Sequence, residues 1–406
     1  MKKRILIIGA GWEQKPLIEK AIEVGCYVIT TTPTVDSDNS LGNINFVVNP
    51  FNLTELSNII EYSKPEAIIS DACDYSMFAQ ALLARKYNMF GPSATTIQIL
   101  SNKFLQREMA RKIKVKQPDY RLCETYKDVM KATNELSYPL ILKPLFNRGG
   151  IGVNKISNEK ELDAAYLDTL TNSGSKSILI EKYIGKSVIT VEGLYSDKYY
   201  NLTYSTKKKH WKYSDNAMEL QYPGELTKEL EDKIYSITKQ LVKAFNINRG
   251  LIHTEYIIED NEVYFLEIHN RGSGVLVSSK ILPILTNIDI SDFLIRQSFG
   301  EQTSIKPNYT GKHTTLHFFD FGQGTVSDIS GIREIRNINN IVHFRLNFTI
   351  GDKLYDVKTA VDRHGFVIVK GDSPQECLNL INDIDNTLKI KFKEPLNQNE
   401  RIRKIY

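Results

Sequence analysis

Tyr138-Pro-Leu-Ile-Leu-Lys143-Pro144 is an apolar run closed by a lysine, and the proline stops the strand immediately after it. An ammonium at the end of a buried strand must find an anion or shift its pKa. A few residues on, Asn147-Arg148-Gly149-Gly150-Ile151-Gly152 leads into a second strand-like stretch, Val153 to Ile156. Three glycines between two strands let successive backbone N–H groups converge on an anion as a nest. A strand follows the glycines where a P-loop or a dinucleotide fingerprint would have a helix, so neither motif is present. A flexible glycine hairpin is the plainer reading, but it leaves Lys143 unexplained.

The rest of the chain divides by its hydrophobic pattern. Ile5 to Ile8 is a continuous β-branched and leucine run ending in Gly9-Ala-Gly11, followed by apolar residues at helical spacing (Leu17, Ile18, Ala21, Ile22). Strand-like Tyr27 to Thr30 and Ala67 to Ser70 alternate with helix-like Leu53 to Tyr62 and Met77 to Lys86, which predicts a doubly wound α/β domain over residues 1–100. From Ser101 a helix, Asn102 to Arg111, gives way to strands with hairpin spacing, the mark of an α+β domain. Helices are predicted at Glu225 to Phe245 and Asp289 to Phe299, and a last one at Pro374 to Leu388.

A second pattern pairs acids on a predicted hairpin, Leu251 to Ile258 with Glu262 to His269. Alternate residues of a strand share a face, so Glu267, His269 and Arg271 point one way, as do His253 and Glu255 on the partner. With a turn centred on Asn261, Glu255 faces Glu267, and carboxylates about 5 Å apart repel unless something positive lies between them. A hard divalent cation bridging to phosphate oxygens answers this. A salt bridge from one Glu to Arg271 is the alternative.

Composition narrows the class. Lys plus Arg exceed Asp plus Glu by 52 to 48 and are spread along the chain, which points away from a nucleic-acid partner. Lys207-Lys208-Lys209-His210-Trp211 is the exception, either a solvated turn or a reach toward phosphate. The four cysteines, Cys26, Cys73, Cys123 and Cys377, form no CxxC pair, so a zinc site and a secreted disulfide framework are not expected. Four apolar residues between Arg4 and Gly9 are too few for a signal peptide, and no stretch reaches transmembrane length. The expectation is a cytoplasmic protein with no membrane or nucleic-acid partner.

Four segments then make a resemblance. Ser101-Asn-Lys103-Phe-Leu opening a helix, Pro139 to Pro144 before the glycine hairpin, Ile178-Leu-Ile-Glu181-Lys-Tyr-Ile before Val191-Glu-Gly, and Glu267-Ile-His-Asn-Arg271-Gly-Ser-Gly274 stand in the order and spacing of the ATP-grasp superfamily. The chain resembles its carboxylate–amine ligase branch, with L-amino acid ligase, biotin carboxylase and carbamoyl-phosphate synthase as the type enzymes. The resemblance implies a pre-ATP-grasp domain over 1–100, an ATP-grasp domain over 101–305 with a lid at about 118–185, and a small α+β cap over 306–406. It implies that Lys103 and Lys143 hold the α- and β-phosphates of ATP, that Gly149, Gly150 and Gly152 close over the β- and γ-phosphates, and that Glu181 with Lys182, Tyr183 and Ile184 forms the adenine hinge. Glu255 and Glu267, with His269 where the family has Asn, would bind magnesium, manganese being a possible substitute. Arg271 and Lys143 would be catalytic, Arg271 facing the acyl phosphate. The implied reaction joins a small carboxylate to an amine through an acyl phosphate, releasing ADP and phosphate, and a homodimer is possible.

Two departures keep alternatives open. Lys186-Ser187-Val188 stands where the family has an acidic ribose contact, and His269 is a softer ligand than magnesium prefers. A carboxyphosphate or carbamoyl-phosphate reaction, or a non-catalytic nucleotide-binding regulator, fits the same fold. Gly9-x-Gly11-x-x-Gln14 lacks the third glycine of a nicotinamide-binding turn.

Overall fold

The computed structural model describes residues 2–34, 42–147, 149–185, 187–210 and 217–393, with 207–210 as backbone only. Arg148, Lys186, Trp211 and the side chains of Lys207 to His210, singled out above, lie outside this description. About 35% of the described residues are helix and 29% strand, a mixed α/β composition. It divides into two compact units: residues 1–148, 152–204 and 226–310, and residues 149–151, 205–225 and 311–406.

In the first unit, a parallel sheet runs in the order Ile44–Val47, Tyr27–Thr32, Arg4–Ile8, Ala67–Ile69. Its strands alternate between two cores. Ile5 and Ile7 pack with Leu17, Ile18 and Ala21, while Leu6 and Ile8 pack with Leu56, Ile59, Ile60 and Leu83. Apolar side chains on both faces are what a sheet covered by helices requires. The edge strand Ile44–Val47 is only four residues long and every one of them is at least partly exposed, too short a pattern to reveal it.

An antiparallel sheet follows, in the order Tyr120–Cys123, Ile178–Lys182, Leu140–Pro144, Asn154–Ile156. Two helices absent from the sequence reading, Tyr126–Leu136 and Leu162–Thr171, pack on it through Val129, Ala132, Leu162 and Ala165. The first opens with a capping box, Thr125 with Asp128. A third sheet places Glu262–His269, Gly250–Glu259 and Val188–Tyr195 side by side, followed by Tyr199–His210. Behind it lies the amphipathic helix Lys228–Ala244, which buries Leu230, Ile234, Leu241 and Val242.

The second unit pairs the end of Tyr199–His210 with Ala217–Tyr222, then His313–Phe318, Gly365–Gly371 and Ile341–Leu346. The helix Pro374–Thr387, capped by Ser373, covers that sheet through Cys377, Ile381 and Ile384.

Candidate active site

The acidic hairpin has a different turn from the one expected. Asp260 and Asn261 form a two-residue turn with both φ angles positive, 51° and 61°, and Glu259 pairs with Glu262. Carried unbroken along the strands, that register would set Glu255 opposite Leu266. A β-bulge between Glu255 and Tyr256 inserts Leu266 as an extra residue, which restores Glu255 opposite Glu267 and His253 opposite His269. The carbonyl of Leu266 accepts a hydrogen bond from Arg107 Nη1 at 2.6 Å. The pairing of the two acids therefore depends on a distant helix as well as on the turn.

That helix, Lys103–Lys112, is capped by Asn102, whose side chain accepts from the Phe104 and Leu105 N–H groups. The Gln106 amide locks it to the hairpin, accepting from Ile268 N at 2.9 Å and donating to Ile268 O at 3.1 Å. Lys103 thereby reaches the acids, with its ammonium 3.6 Å from Glu267 Oε2 and donating to Asn147 O at 2.9 Å. Burial pushes the Glu267 carboxyl up, but Lys103 and His269 outweigh it and hold the group well below the usual carboxylate range.

Lys143 meets its anion in Glu181. The ammonium lies 2.6 Å from Glu181 Oε2, while Arg107 Nε donates to Oε1 at 2.7 Å. All three groups are buried, and Arg107 is fully so. Burial pulls Lys143 down to about 8 against the attraction of Glu181. For Glu181 burial is again the largest influence, overcome by Arg107 and Lys143, so it stays ionised. Removing Arg107 as Arg107→Leu should cost about 3–5 kcal/mol of stability, the usual loss when one partner of a buried ion pair is deleted. Denaturant unfolding checks this, and a loss below about 1 kcal/mol would mean the triad is not structural.

Beyond Glu181, the Lys182 ammonium donates to the carbonyls of Ser137 and Tyr138, each at 3.0 Å, and Tyr183 N donates to Pro139 O at 3.1 Å. Lys155 sits 3.7 Å from the centre of the Tyr183 ring, and Ile184 is half-buried. Gly149, Gly150 and Gly152 all take positive φ, 63°, 78° and 71°. At Gly152 an added Cβ would meet Asn172 Cβ at 2.7 Å and Pro144 Cγ at 2.9 Å, so both conformation and space demand glycine there.

Arg271 is gripped by a residue from the parallel sheet. Its Nε and Nη2 donate to the two oxygens of Asp74 at 2.6 and 2.9 Å. His269 Nδ1 is 3.2 Å from the same carboxylate, and its Nε2 is 3.5 Å from Glu267 Oε1. Burial opposes protonation of His269, but Asp74 raises its pKa above the usual histidine value. His253 is similar: burial lowers it, and Glu192 followed by Glu255 pushes it up to about 10.

The loop after Arg271 is held by carboxylates that follow parallel strands. Gly272 N donates to Asp71 Oδ1 at 2.9 Å, and Val275 N donates to Glu13. Glu13 follows the strand Arg4–Ile8 and Asp71 follows Ala67–Ile69, neighbours at which the strand order changes direction. That is the crevice where open α/β sheets present residues to ligands. Arg107, Asp71, Asp74 and Glu13 went unnoticed in the sequence; an acid just past an apolar strand, as at Ser70-Asp71, was the available signal.

Lys103, Lys143, Glu181, Glu255, Glu267, His269 and Arg271 thus lie within one unit, linked by direct contacts or register. Cations and paired acids arranged in this way are suited to a polyphosphate with a divalent metal. Residues 136–279 match the family model of the ATP-grasp domain, and residues 317–393 match L-amino acid ligase C-terminal domain 2. A formate-dependent phosphoribosylglycinamide formyltransferase from Prochlorococcus marinus (strain MIT 9515) is 23% identical over 340 residues, covering 78% of this chain and 86% of the relative. The fold superposes on an L-amino acid ligase from Bacillus licheniformis with a TM-score of 0.84, at 20% identity over 97% of this chain and 99% of the other. A phosphoribosylglycinamide synthetase from Anaerococcus prevotii gives 0.76, at 18% identity over 97% and 100%. The chain carries an ATP-grasp domain. The protein is an ATP-dependent, ADP-forming ligase of the carboxylate–amine kind, with a match to L-amino acid ligase C-terminal domain 2 towards its end. Among the described residues no helix is long and apolar enough to cross a membrane.

Proposed function

We propose that this enzyme activates the carboxylate of an amino acid as an acyl phosphate and transfers it to the amine of a second small molecule. The carrying observation is the convergence of Lys103, Glu255, Glu267 and Arg271 on neighbouring strand and helix ends, with Lys143 held by Glu181. The C-terminal domain match supports an amino acid as the acid.

Magnesium fits the residues present. Glu255 and Glu267 face each other across the hairpin, and magnesium characteristically takes one or two carboxylates and completes its shell with phosphate and water. When bound, the metal neutralises phosphate charge as a Lewis acid. His269 lies between Asp74 and Glu267, and in this reading it stays with those two carboxylates instead of binding the metal.

Lys143 and Lys103 neutralise the phosphates. The hinge from Glu181 to Ile184 receives the base through its backbone, because the Glu181 side chain is committed to Arg107 and Lys143. Arg271 orients the acid. The substrate carboxylate oxygen attacks the γ-phosphorus, the bond to the β-phosphate oxygen breaks, and ADP leaves. The amine then attacks the acyl carbon, and phosphate departs with the former carboxylate oxygen. The free thiols Cys26, Cys123 and Cys377, all buried, suit the reducing cytoplasm we assign.

With 18O in the carboxyl group of the acid, one label should appear in the released phosphate, and ADP should form in equal amount. Mass spectrometry of the phosphate checks this. Stoichiometric AMP, or unlabelled phosphate in a coupled reaction, would refute the scheme.

A further inference from the structure

Behind Glu255 lies a buried group that the phosphate site does not explain. Glu192, on the strand Val188–Tyr195, stands directly opposite His253 and is 1% exposed. Ser273 Oγ donates to Glu192 Oε1 at 2.5 Å. His253 Nδ1 is 2.8 Å from that oxygen and 2.7 Å from Ser273 Oγ, while Nε2 lies 3.4 Å from Glu255 Oε1. The same order of groups recurs beside the partner strand, where Asp74, from the helix Asp74–Lys86, is followed by His269 and Glu267 at 3.2 and 3.5 Å. The two imidazoles stack, with ring centres 6.2 Å apart and planes at 28°.

We infer that Glu192, Ser273 and His253 are positioning residues that fix Glu255 in the rotamer needed to hold the metal of the nucleotide complex. The inference rests on the reading that Glu255 and Glu267 hold that metal. A glutamate has three rotatable side-chain bonds, and a carboxylate facing a second one is driven to swing away. His253 opposes this because residues two apart on a strand share a face, which brings its Nε2 to Glu255. The imidazole is itself oriented from behind by Glu192 and Ser273, as outer carboxylates orient histidines around metal sites. Ser273 is two residues from Arg271, so the same buried group also ties down the loop that carries the arginine.

The test titrates Mn2+ into the full-length protein with ADP, followed by electron paramagnetic resonance, in the wild type and three variants. His253→Leu removes the donor. The double change Glu192→Met with His253→Leu removes both buried charges together and so leaves no unpaired ion in the core. Ser273→Ala deletes one hydroxyl. In the first two the Mn2+ dissociation constant should rise roughly ten- to a hundredfold, and in Ser273→Ala by a few-fold, while ADP affinity measured in EDTA stays unchanged. The metal concentration giving half-maximal ligation should shift by the same factor. A folded double variant, or Ser273→Ala together with either other variant, that binds Mn2+ as the wild type does would overturn the inference. Glu255→Gln separates the two readings: if it alone weakens Mn2+, the positioning role fails and the metal site stands, and if it too binds normally, the metal site is wrong.

Discussion

Glu267→Gln should abolish ligation, lowering kcat by about a thousandfold or more, while leaving the melting temperature within a few degrees of the wild type. The substitution keeps the shape of the side chain and removes only its charge. In the site that charge faces Glu255 across the hairpin and lies 3.6 Å from Lys103. Its loss removes the repulsion from Glu255 together with the attractions of Lys103 and His269, and these offset one another in a group that is about a quarter exposed, so little stability is at stake. Catalysis is affected differently. Phosphoryl transfer depends on positioning and on charge neutralisation around the phosphates, and a neutral amide is a far poorer ligand for a hard cation than a carboxylate. Removing one preorganised electrostatic contact costs about a hundred- to a thousandfold, and losing the metal with it costs more. ADP release in the presence of acid and amine measures the rate, and scanning calorimetry measures the fold. Activity within tenfold of the wild type would remove Glu267 from the mechanism.

The legible parts of this structure were those with strong local patterns. Ile5 to Ile8 and Ala67 to Ile69 are buried on both faces and carry no polar residue, so their period and length declared them. Glu255 and Glu267 were read as partners on an incorrect turn; the pairing exists because the Leu266 bulge corrects for the Asp260-Asn261 turn. A bulge accommodated by Arg107 Nη1 has no local signature. Arg107 itself, in Leu-Gln-Arg-Glu-Met, reads as the solvated face of a helix and is instead fully buried against Glu181, 74 residues away. Asp74 and Arg271 are 197 residues apart, and only the fold brings them together. Long-range polar pairs obey no periodicity, whereas the residues we assign to the phosphates sit in short motifs, because a single loop can deliver several groups to one ligand.

Lys143→Met should weaken ATP binding by about thirty- to a few-thousandfold without unfolding the protein, and should abolish a pH dependence that the wild type shows. Truncating one member of a desolvated, hydrogen-bonded charge pair costs about 2–5 kcal/mol, which corresponds to that range of affinity. The fold survives because Glu181 keeps Arg107 at 2.7 Å when the lysine is gone. The pH dependence follows from burial, which brings Lys143 down to about 8 in the nucleotide-free protein. Below that pH the lysine is charged and ready to receive phosphate. Above it the free protein holds a neutral amine, and ATP must draw in a proton to recover the ion pair, so affinity should fall by up to about tenfold per pH unit as pH rises past 8. The sign is that of a lysine with a depressed pKa whose charged form the ligand favours. Titration calorimetry at pH 7, 8 and 9 in buffers of different ionisation enthalpy reads both affinity and proton uptake. The wild type should take up a fraction of a proton that grows with pH, and Lys143→Met should show neither that uptake nor the decline attributed to it. Equal affinities in the two proteins at pH 7 would remove Lys143 from the phosphate site.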